Sequence, residues 1–270
     1  MQREVPWRFI KSLSGKKERD RTGMTVAEGP PSVKMALESG VSIEYLVLSR
    51  SFSNSPGGEE ILRLAGEGNR PREVFTVPDD LFERMAETKS PQGVLCVLRV
   101  PFRFPGGLPA SPWDRPLEVV GIDIQDPGNA GTLIRAASAV GASHVVFLGA
   151  SADPFSPKCI RASAGTIFNV RVALHQRDMA PSAYLMKRHE EGLEILKTVP
   201  QGGVAPWDTD LTKALCLVFG NEARGLDRDI LALPGAHISI PMPGGTESLN
   251  VAVASGMILY EALRQRMAHS

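Results

Sequence analysis

Three stretches of this chain crowd hydrogen-bonding side chains beside glycines, a combination from which a site for a polar ligand can be built. In the last of them, Thr246, Glu247, Ser248 and Asn250 follow the Gly244-Gly245 pair. Glycine has no Cβ, so a ligand or another backbone can approach closely there. Ser248 stands where a helix N-cap is expected, ahead of an apolar run. The other two stretches are Asp126-Pro-Gly-Asn-Ala-Gly131 and Gly220-Asn-Glu-Ala-Arg-Gly225.

Each stretch ends an apolar strand pattern. Leu117-Glu-Val-Val-Gly-Ile-Asp-Ile124 reads as a buried strand, and a helix over Thr132–Val140 follows the first stretch. Gly141 stops that helix as its C′ residue, and a second strand, His144–Leu148, comes at once. This is a βαβ unit. Ala214–Phe219 is another apolar strand, leading into the second stretch, and a β-branched run at Ile238–Ile240 stops at Pro241 and Pro243. In open α/β sheets ligands bind beyond the carboxyl ends of strands, so three polar loops at three strand ends predict one shared site. The helix after the third loop opens with the small residues Ala252, Ala254, Ser255 and Gly256, which predicts close packing against a neighbour.

The 270 residues allow one large domain or two smaller ones. Pro101 to Pro116 holds five prolines and two glycines, which cannot continue a helix or a central strand. The expected division is therefore residues 1–100, a linker at 101–116, and 117–270. The N-terminal part reads as α/β. A strand at Met24–Ala27 leads to a helix with Pro31 in its first turn, ended by Gly40. Further strands are expected at Ile43–Leu48, Val74–Val77 and Val94–Leu98, with a helix from Asp79 or Asp80 to Glu87. Formal net charge is zero, so no global field advertises a nucleic-acid partner. Charge is uneven, however: Arg3, Arg8, Lys11, Lys16, Lys17, Arg19 and Arg21 face only Glu4, Glu18 and Asp20 in the first 21 residues. Such an arm suits phosphates or a solvated helix face equally well. Cys96, Cys159 and Cys216 form no C-x-x-C pair, so no metal site is expected. Neither a membrane span nor a secretory leader is expected, and the cysteine usage fits the cytoplasm.

The three loops resemble the three sequence motifs of the SpoU (TrmH-type) RNA ribose 2′-O-methyltransferases, of the SPOUT class. Asn129-Ala-Gly-Thr-Leu-Ile-Arg135 matches the first, Leu217-Val-Phe-Gly-Asn-Glu-Ala-Arg-Gly-Leu226 the second, and Ile240-Pro-Met with Ser248-Leu-Asn250 the third. The residues before the linker resemble the L30e-like substrate-recognition domain of many members, through Lys16-Lys17-x-Arg19, Val26-Ala-Glu-Gly29 and Ser90-Pro-Gln-Gly-Val94. Pro30-Pro31 departs from that pattern, where many relatives carry a basic or hydrogen-bonding residue.

The resemblance implies a fold: a SPOUT-type parallel sheet with a deep C-terminal trefoil knot, preceded by a smaller L30e-like α/β domain. It implies an S-adenosylmethionine cofactor in a pocket built from Gly220, Asn221, Ile240, Met242, Ser248 and Leu249, and a reaction at a ribose 2′-hydroxyl. Arg135, Asn129, Glu222 and Asn250 are the implied catalytic group. Arginine normally stays protonated, so Arg135 either moves a proton once a substrate phosphate repositions it, or anchors the phosphate and orients the hydroxyl. Glu222 positions Arg135 or Asn250, accepts the proton, or is a plain helix-terminus carboxylate. RNA contacts fall to Lys16, Lys17, Arg19, Arg21 and Arg161, the last within Arg161-Ala-Ser-Ala-Gly165. A homodimer using the first and last helices of the C-terminal domain is implied, with rRNA favoured over tRNA and no metal. Two alternatives remain: a tRNA 2′-O-methyltransferase, and a non-catalytic RNA-binding protein of the same fold.

Overall fold

The computed structural model describes residues 4–67, 70–100, 111–175 and 179–269. Most of the expected linker, 101–110, lies outside them, as does Arg3. In chain order the elements are α1 (Trp7–Ser12), α2 (Lys16–Thr22), β1 (Met24–Glu28), α3 (Pro30–Ser39), β2 (Ile43–Ser49), α4 (Arg50–Ser53), α5 (Pro56–Glu67), β3 (Glu73–Val77), α6 (Asp79–Met85) and β4 (Val94–Arg99). There follow β5 (Leu117–Ile122), α7 (Pro127–Ala139), β6 (His144–Leu148), α8 (Pro157–Ala162), β7 (Arg171–His175), α9 (Pro181–Glu190) and β8 (Glu194–Thr198). The chain ends with β9 (Leu215–Phe219), α10 (Arg228–Leu231), β10 (Ala236–Ile238) and α11 (Val251–Ala268).

Two compact units result. The described residues of Met1–Leu108 together with Phe155–Asn169 make one, and those of Pro109–Pro154 and Val170–Ser270 make the other. The segment carrying α8 thus belongs with the N-terminal residues. Within that unit the sheet order is β1-β4-β2-β3. The strands β1 and β2 run antiparallel to β4, and β3 runs parallel to β2. One side of the core gathers Ile10, Leu13, Val47, Phe82, Leu95 and Val97. The buried Thr25 hydroxyl donates to the Phe155 carbonyl at 2.6 Å and helps hold the α8 segment on β1.

The second unit is built on six parallel strands in the order β10-β8-β9-β5-β6-β7. Parallel sheets are covered on both faces, so their strands read as continuous apolar runs. The strand β5 is buried along its whole length. Val120, Ile122, Val146, Leu148, Cys216 and Val218 face Tyr184 and Leu185 of α9 and Ile230 of α10. Strand alternation turns Leu117, Val119, Val145, Phe147, Leu215 and Leu217 to the other face, where they are fully buried. From β5 the chain progresses outward through β6 and β7, then returns to lay β8, β9 and β10 on the other side. The reversal falls between β5 and β9, the topological switch point where open sheets hold ligands.

Candidate active site

The loops after β5 and β9 are neighbours because their strands pair. The first begins at Asp123, a non-glycine in the left-handed region at φ 55°. Its carboxylate accepts the Ala150 N–H at 2.6 Å, and its carbonyl accepts the Asn221 amide at 2.9 Å. Asp126 then caps α7, accepting from Gly128 and Asn129 N–H, with Pro127 in the first turn. The helix therefore starts at Pro127, not Thr132. The Asp-Pro-Gly-Asn run expected to be loop is a cap followed by a first turn. Gly141 ends the helix at φ 74°, as expected.

The second loop closes on itself. Asn221 and Gly225 exchange both backbone hydrogen bonds, at 3.0 and 2.9 Å, and the Asn221 side-chain oxygen accepts from Ala223 and Arg224 N–H. A Cβ on Gly220 would lie 2.5 Å from the Gly225 carbonyl carbon. Glycine is required there to close the loop, rather than to open backbone to a ligand. In the third loop, Gly245 at φ 78° turns the chain and donates to the Met242 carbonyl at 3.1 Å. Open space lies beside both Gly244 and Gly245. The cap of α11 is Asn250, whose oxygen accepts from Ala252 and Val253 N–H. Ser248, expected in that role, stands exposed two residues earlier.

One hydrogen-bonded chain ties the three loops together. Asn250 donates to the Asn129 side-chain oxygen at 3.1 Å, and Asn129 donates to Glu222 at 2.9 Å. The second Glu222 oxygen lies 3.5 Å from the Asn221 amide. An ionised carboxylate only accepts, so Asn129 must turn its NH₂ to Glu222 and its oxygen to Asn250. Asn250 must then donate, which leaves its oxygen for the helix cap. Every amide in the chain has one permitted orientation. Glu222 reaches Asn250 through Asn129 and pairs with no arginine among the described residues. Arg135 lies six residues beyond Asn129 on α7, about 9 Å along the axis. It is exposed, has no ion pair or side-chain hydrogen bond among the described residues, and does not line the cleft described next.

All six residues implied for the cofactor line one cleft: Gly220, Asn221, Ile240, Met242, Ser248 and Leu249. Ile240, Met242 and Leu249 are half-buried, so they present apolar surface to a ligand instead of disappearing into the core. Sequence reasoning missed the wall formed by Thr198, Val199 and Pro200 at the end of β8. Its signal was a fourth strand ending in a Pro/Gly turn, Pro200-Gln-Gly-Gly203. Ala254 also lines the cleft, whereas Ala252 and Ser255 are buried. Gly256 has open space around it, so it serves no close packing within the chain.

The basic arm divides. Arg19 is buried and its guanidinium holds the Leu13 and Ser14 carbonyls at 3.1 and 2.7 Å, so it is withdrawn from any RNA contact. Arg21 is held by Glu18 through two bonds, and Lys16 by Asp20 at 3.2 Å. Lys17 is exposed. Arg161 lies on α8, paired with Glu87 at 3.2 Å. The described residues contain no cluster of ligands able to hold a metal ion, and no helix long and apolar enough to cross a membrane.

The loops and their spacing agree with a family model. The SpoU rRNA methylase family model matches residues 116–260, and an MRM3-like substrate binding domain matches residues 8–96. The chain belongs to the SpoU rRNA methylase family. It is 31% identical to the 23S rRNA (guanosine(2553)-2′-O)-methyltransferase RlmP of Bacillus subtilis, over 93% of this chain and 92% of that one. The tRNA (guanosine(18)-2′-O)-methyltransferase of Escherichia coli is 36% identical but matches only 53% of this SpoU chain. Among solved structures, the SpoU methyltransferase AviRb of Streptomyces viridochromogenes, in complex with AdoMet, superposes with a TM-score of 0.80 at 29% identity, covering 98% of this chain and all of that one.

Proposed function

We propose that this protein transfers a methyl group from S-adenosylmethionine to a ribose 2′-hydroxyl of rRNA. The observation that carries the reading is the Glu222–Asn129–Asn250 chain, which ties three motif loops together beside a cleft that the second and third of them line with the end of β8. The residues present suit the donor. Ile240, Leu249 and Met242 offer half-buried apolar walls, and the exposed Arg224 and Ser248 offer polar side chains, the mixture expected of a cofactor site. The donor supplies an electrophilic methyl on a positively charged sulfur. The protein supplies orientation. Asn129 and Asn250, held rigid by Glu222, shape the substrate side of the cleft, and Arg135 anchors a phosphate and aligns the hydroxyl. With both Glu222 oxygens engaged by amides, its part is to hold Asn129.

The enzyme acts as a homodimer. An apolar stripe on α11, Val253, Met257, Tyr260 and Met267, is more than half exposed at each position. Arg135, off the cleft of its own chain, serves the partner's cleft. We place the knot in the segment from β9 to α11: β9 inserts between β8 and β5, and α11 packs on α7. Residues before the linker select the RNA, and the enzyme works in the cytoplasm. rRNA is favoured because an rRNA enzyme matches over more than nine-tenths of the chain and a tRNA enzyme over about half.

The test is transfer of isotope-labelled methyl from S-adenosylmethionine to unmodified rRNA and tRNA, with the methyl located by mass spectrometry of the digested RNA. A 2′-O-methylnucleoside from rRNA is expected. A methylated base, transfer to tRNA alone, or donor binding without transfer to any RNA would each overturn the reading.

A further inference from the structure

A second cavity lies within the N-terminal unit, at the start of α3, with a volume of about 290 Å³. Its wall includes Ser32, which is 2% exposed. The Ser32 hydroxyl has no hydrogen-bond partner among the described residues. The hydroxyl opens on the cavity, so a ligand there would give it the partner that the protein does not.

The surroundings exclude an anion from the interior. Pro30 and Pro31 fill the first positions of α3 and remove two of the N–H groups that make helix N-termini attract anions. The Glu28 carboxylate lies on the same wall, accepting from Glu87 N–H at 2.9 Å and from the Thr88 hydroxyl. The rim differs. The Gln92 carboxamide and the Ser90 hydroxyl line it, both on exposed residues and both without a partner among the described residues. The Arg161 guanidinium, one-third exposed, stands there too. The backbone is bent to make this shape. Gly29 sits at φ 95°, a conformation that residues with a side chain rarely adopt, with its would-be Cβ position 3.0 Å from the Gln92 oxygen. Ala164, a non-glycine at φ 51°, lines the cavity beside Gly165, whose would-be Cβ lies 2.9 Å from the Ser32 Cα. Strained non-glycine positions cluster where a site requires them.

A neutral hydrogen-bonding interior, a free carboxamide and a guanidinium at the mouth suit a nucleobase with its phosphate outside. We propose that this cavity takes one unpaired nucleotide of the RNA substrate. Ser32 and Gln92 meet the base edge, and Arg161 meets the adjoining phosphate once it leaves Glu87. RNA is read at splayed-out, unpaired bases, and a side-chain amide can bond a base edge with two hydrogen bonds. The inference rests on the RNA-methyltransferase reading and adds which feature of the RNA is held.

The experiment uses the full chain, with fluorescence anisotropy of a labelled hairpin RNA carrying an eight-nucleotide loop of mixed sequence, beside the same stem as a blunt duplex. Gln92→Ala and Ser32→Ala remove the two base contacts with little risk to the fold. The double variant is expected to lose about tenfold or more in affinity for the loop RNA, with duplex affinity unchanged. Arg161→Ala is expected to weaken loop binding and lower its salt dependence. Unchanged loop affinity in the double variant overturns the proposal, as does an equal loss for loop and duplex. Calorimetry of S-adenosylmethionine binding separates the two levels: normal donor binding alongside unchanged loop affinity removes the nucleotide site and leaves the methyltransferase reading standing, whereas absent donor binding removes that reading itself.

Discussion

Asn250 donates its amide to the side-chain oxygen of Asn129 at 3.1 Å while its own oxygen caps α11, so one residue both starts a helix and joins two motif loops. The two tasks use opposite ends of the same amide and can be separated. Asn250→Asp keeps the oxygen, and aspartate caps as well as asparagine. It cannot donate to Asn129. The melting temperature is expected to stay within about 2–4 °C of the parent, while single-turnover methyl transfer falls by about 10²-fold. Asn129→Asp is expected to be worse, because it sets a carboxylate against Glu222. Full activity in Asn250→Asp would remove the amide chain from the mechanism.

Ala254 tests the donor cleft. It lines that cleft half-buried, one turn from the cap, whereas Ala252 is buried. Leucine at 254 grows into the cleft, and leucine at 252 grows into the core. Ala254→Leu is expected to weaken S-adenosylmethionine binding by about tenfold or more in calorimetry with little change in melting. Ala252→Leu is expected to cost about 1–3 kcal/mol of stability through overpacking. The reverse pattern would show that the cleft is not where the donor binds.

The legible parts of this molecule share a physical cause. Buried parallel strands such as Leu117–Ile122 and Leu215–Phe219 read as unbroken apolar runs, and glycine, proline and asparagine mark their ends. The loops of the site were therefore visible, and their juxtaposition followed from the switch-point rule. Where the sequence misled, tertiary structure had chosen between local options. Ser248 and Asn250 are equally good caps in isolation, and the contact with Asn129 accompanies the choice of Asn250. Strand β8 was hidden by Lys197, a buried lysine whose ammonium is satisfied by the Leu231 and Leu233 carbonyls. Helix α5 opens Pro56-Gly-Gly, which reads as a turn. Gln265 and Arg266 look like a solvated helix end, yet Arg266 is buried and donates to the carbonyls of Arg115, Leu211 and Lys213. No local pattern announces a partner 55 or 151 residues away.

Asp123 joins the ends of β5 and β6 to the second motif loop through its left-handed backbone, its carboxylate and its carbonyl. Asparagine tolerates that conformation and can still accept from Ala150, so Asp123→Asn is expected to bind donor and turn over near parental rates. Asp123→Val cannot adopt it without strain and is expected to lose about 1–3 kcal/mol of stability. It should also raise the donor dissociation constant as the Asn221 loop shifts. Thermal melts and donor calorimetry on the two variants check this ordering, and equal behaviour would deny the backbone its role.

Glu118 gives the fold a pH dependence. It is 4% exposed on β5, and burial pushes its pKa above the ordinary 4.5, against the lowering effect of the Tyr184 hydroxyl at 2.9 Å and of Arg188. A raised folded-state pKa means that the native state holds the proton more tightly than the unfolded chain. The stabilisation is complete below about pH 4.5 and is lost as pH rises through the folded pKa. Glu118→Gln keeps an acceptor for Tyr184 and cannot ionise. Calorimetric melts are expected to show this variant gaining on the parent as pH rises from 4 to 8. A difference that stays flat across that range would mean Glu118 titrates alike in both states.

The last expectation concerns Arg135 and the exposed face of α11. Val253, Met257, Tyr260 and Met267 recur at intervals of four, three and seven, so they share one face, and each is 51–66% exposed. Contiguous apolar surface of this kind marks an interface. Sedimentation velocity at micromolar concentration is expected to give about twice 29.1 kDa for the parent. Met257→Lys combined with Tyr260→Glu should give a monomer that still binds donor but no longer transfers methyl, because Arg135 stands away from its own cleft. Arg135→Ala alone should stay dimeric, bind donor normally and lose about 10²–10⁴-fold in transfer. Mixing discriminates further. If each cleft borrows the partner's Arg135, an inactive Arg135→Ala protein and an inactive Asn250→Asp protein will restore activity together, since a mixed dimer holds one cleft with both groups intact. Failure of the mixture to recover activity, with subunit exchange verified, would return Arg135 to its own cleft or remove it from the reaction.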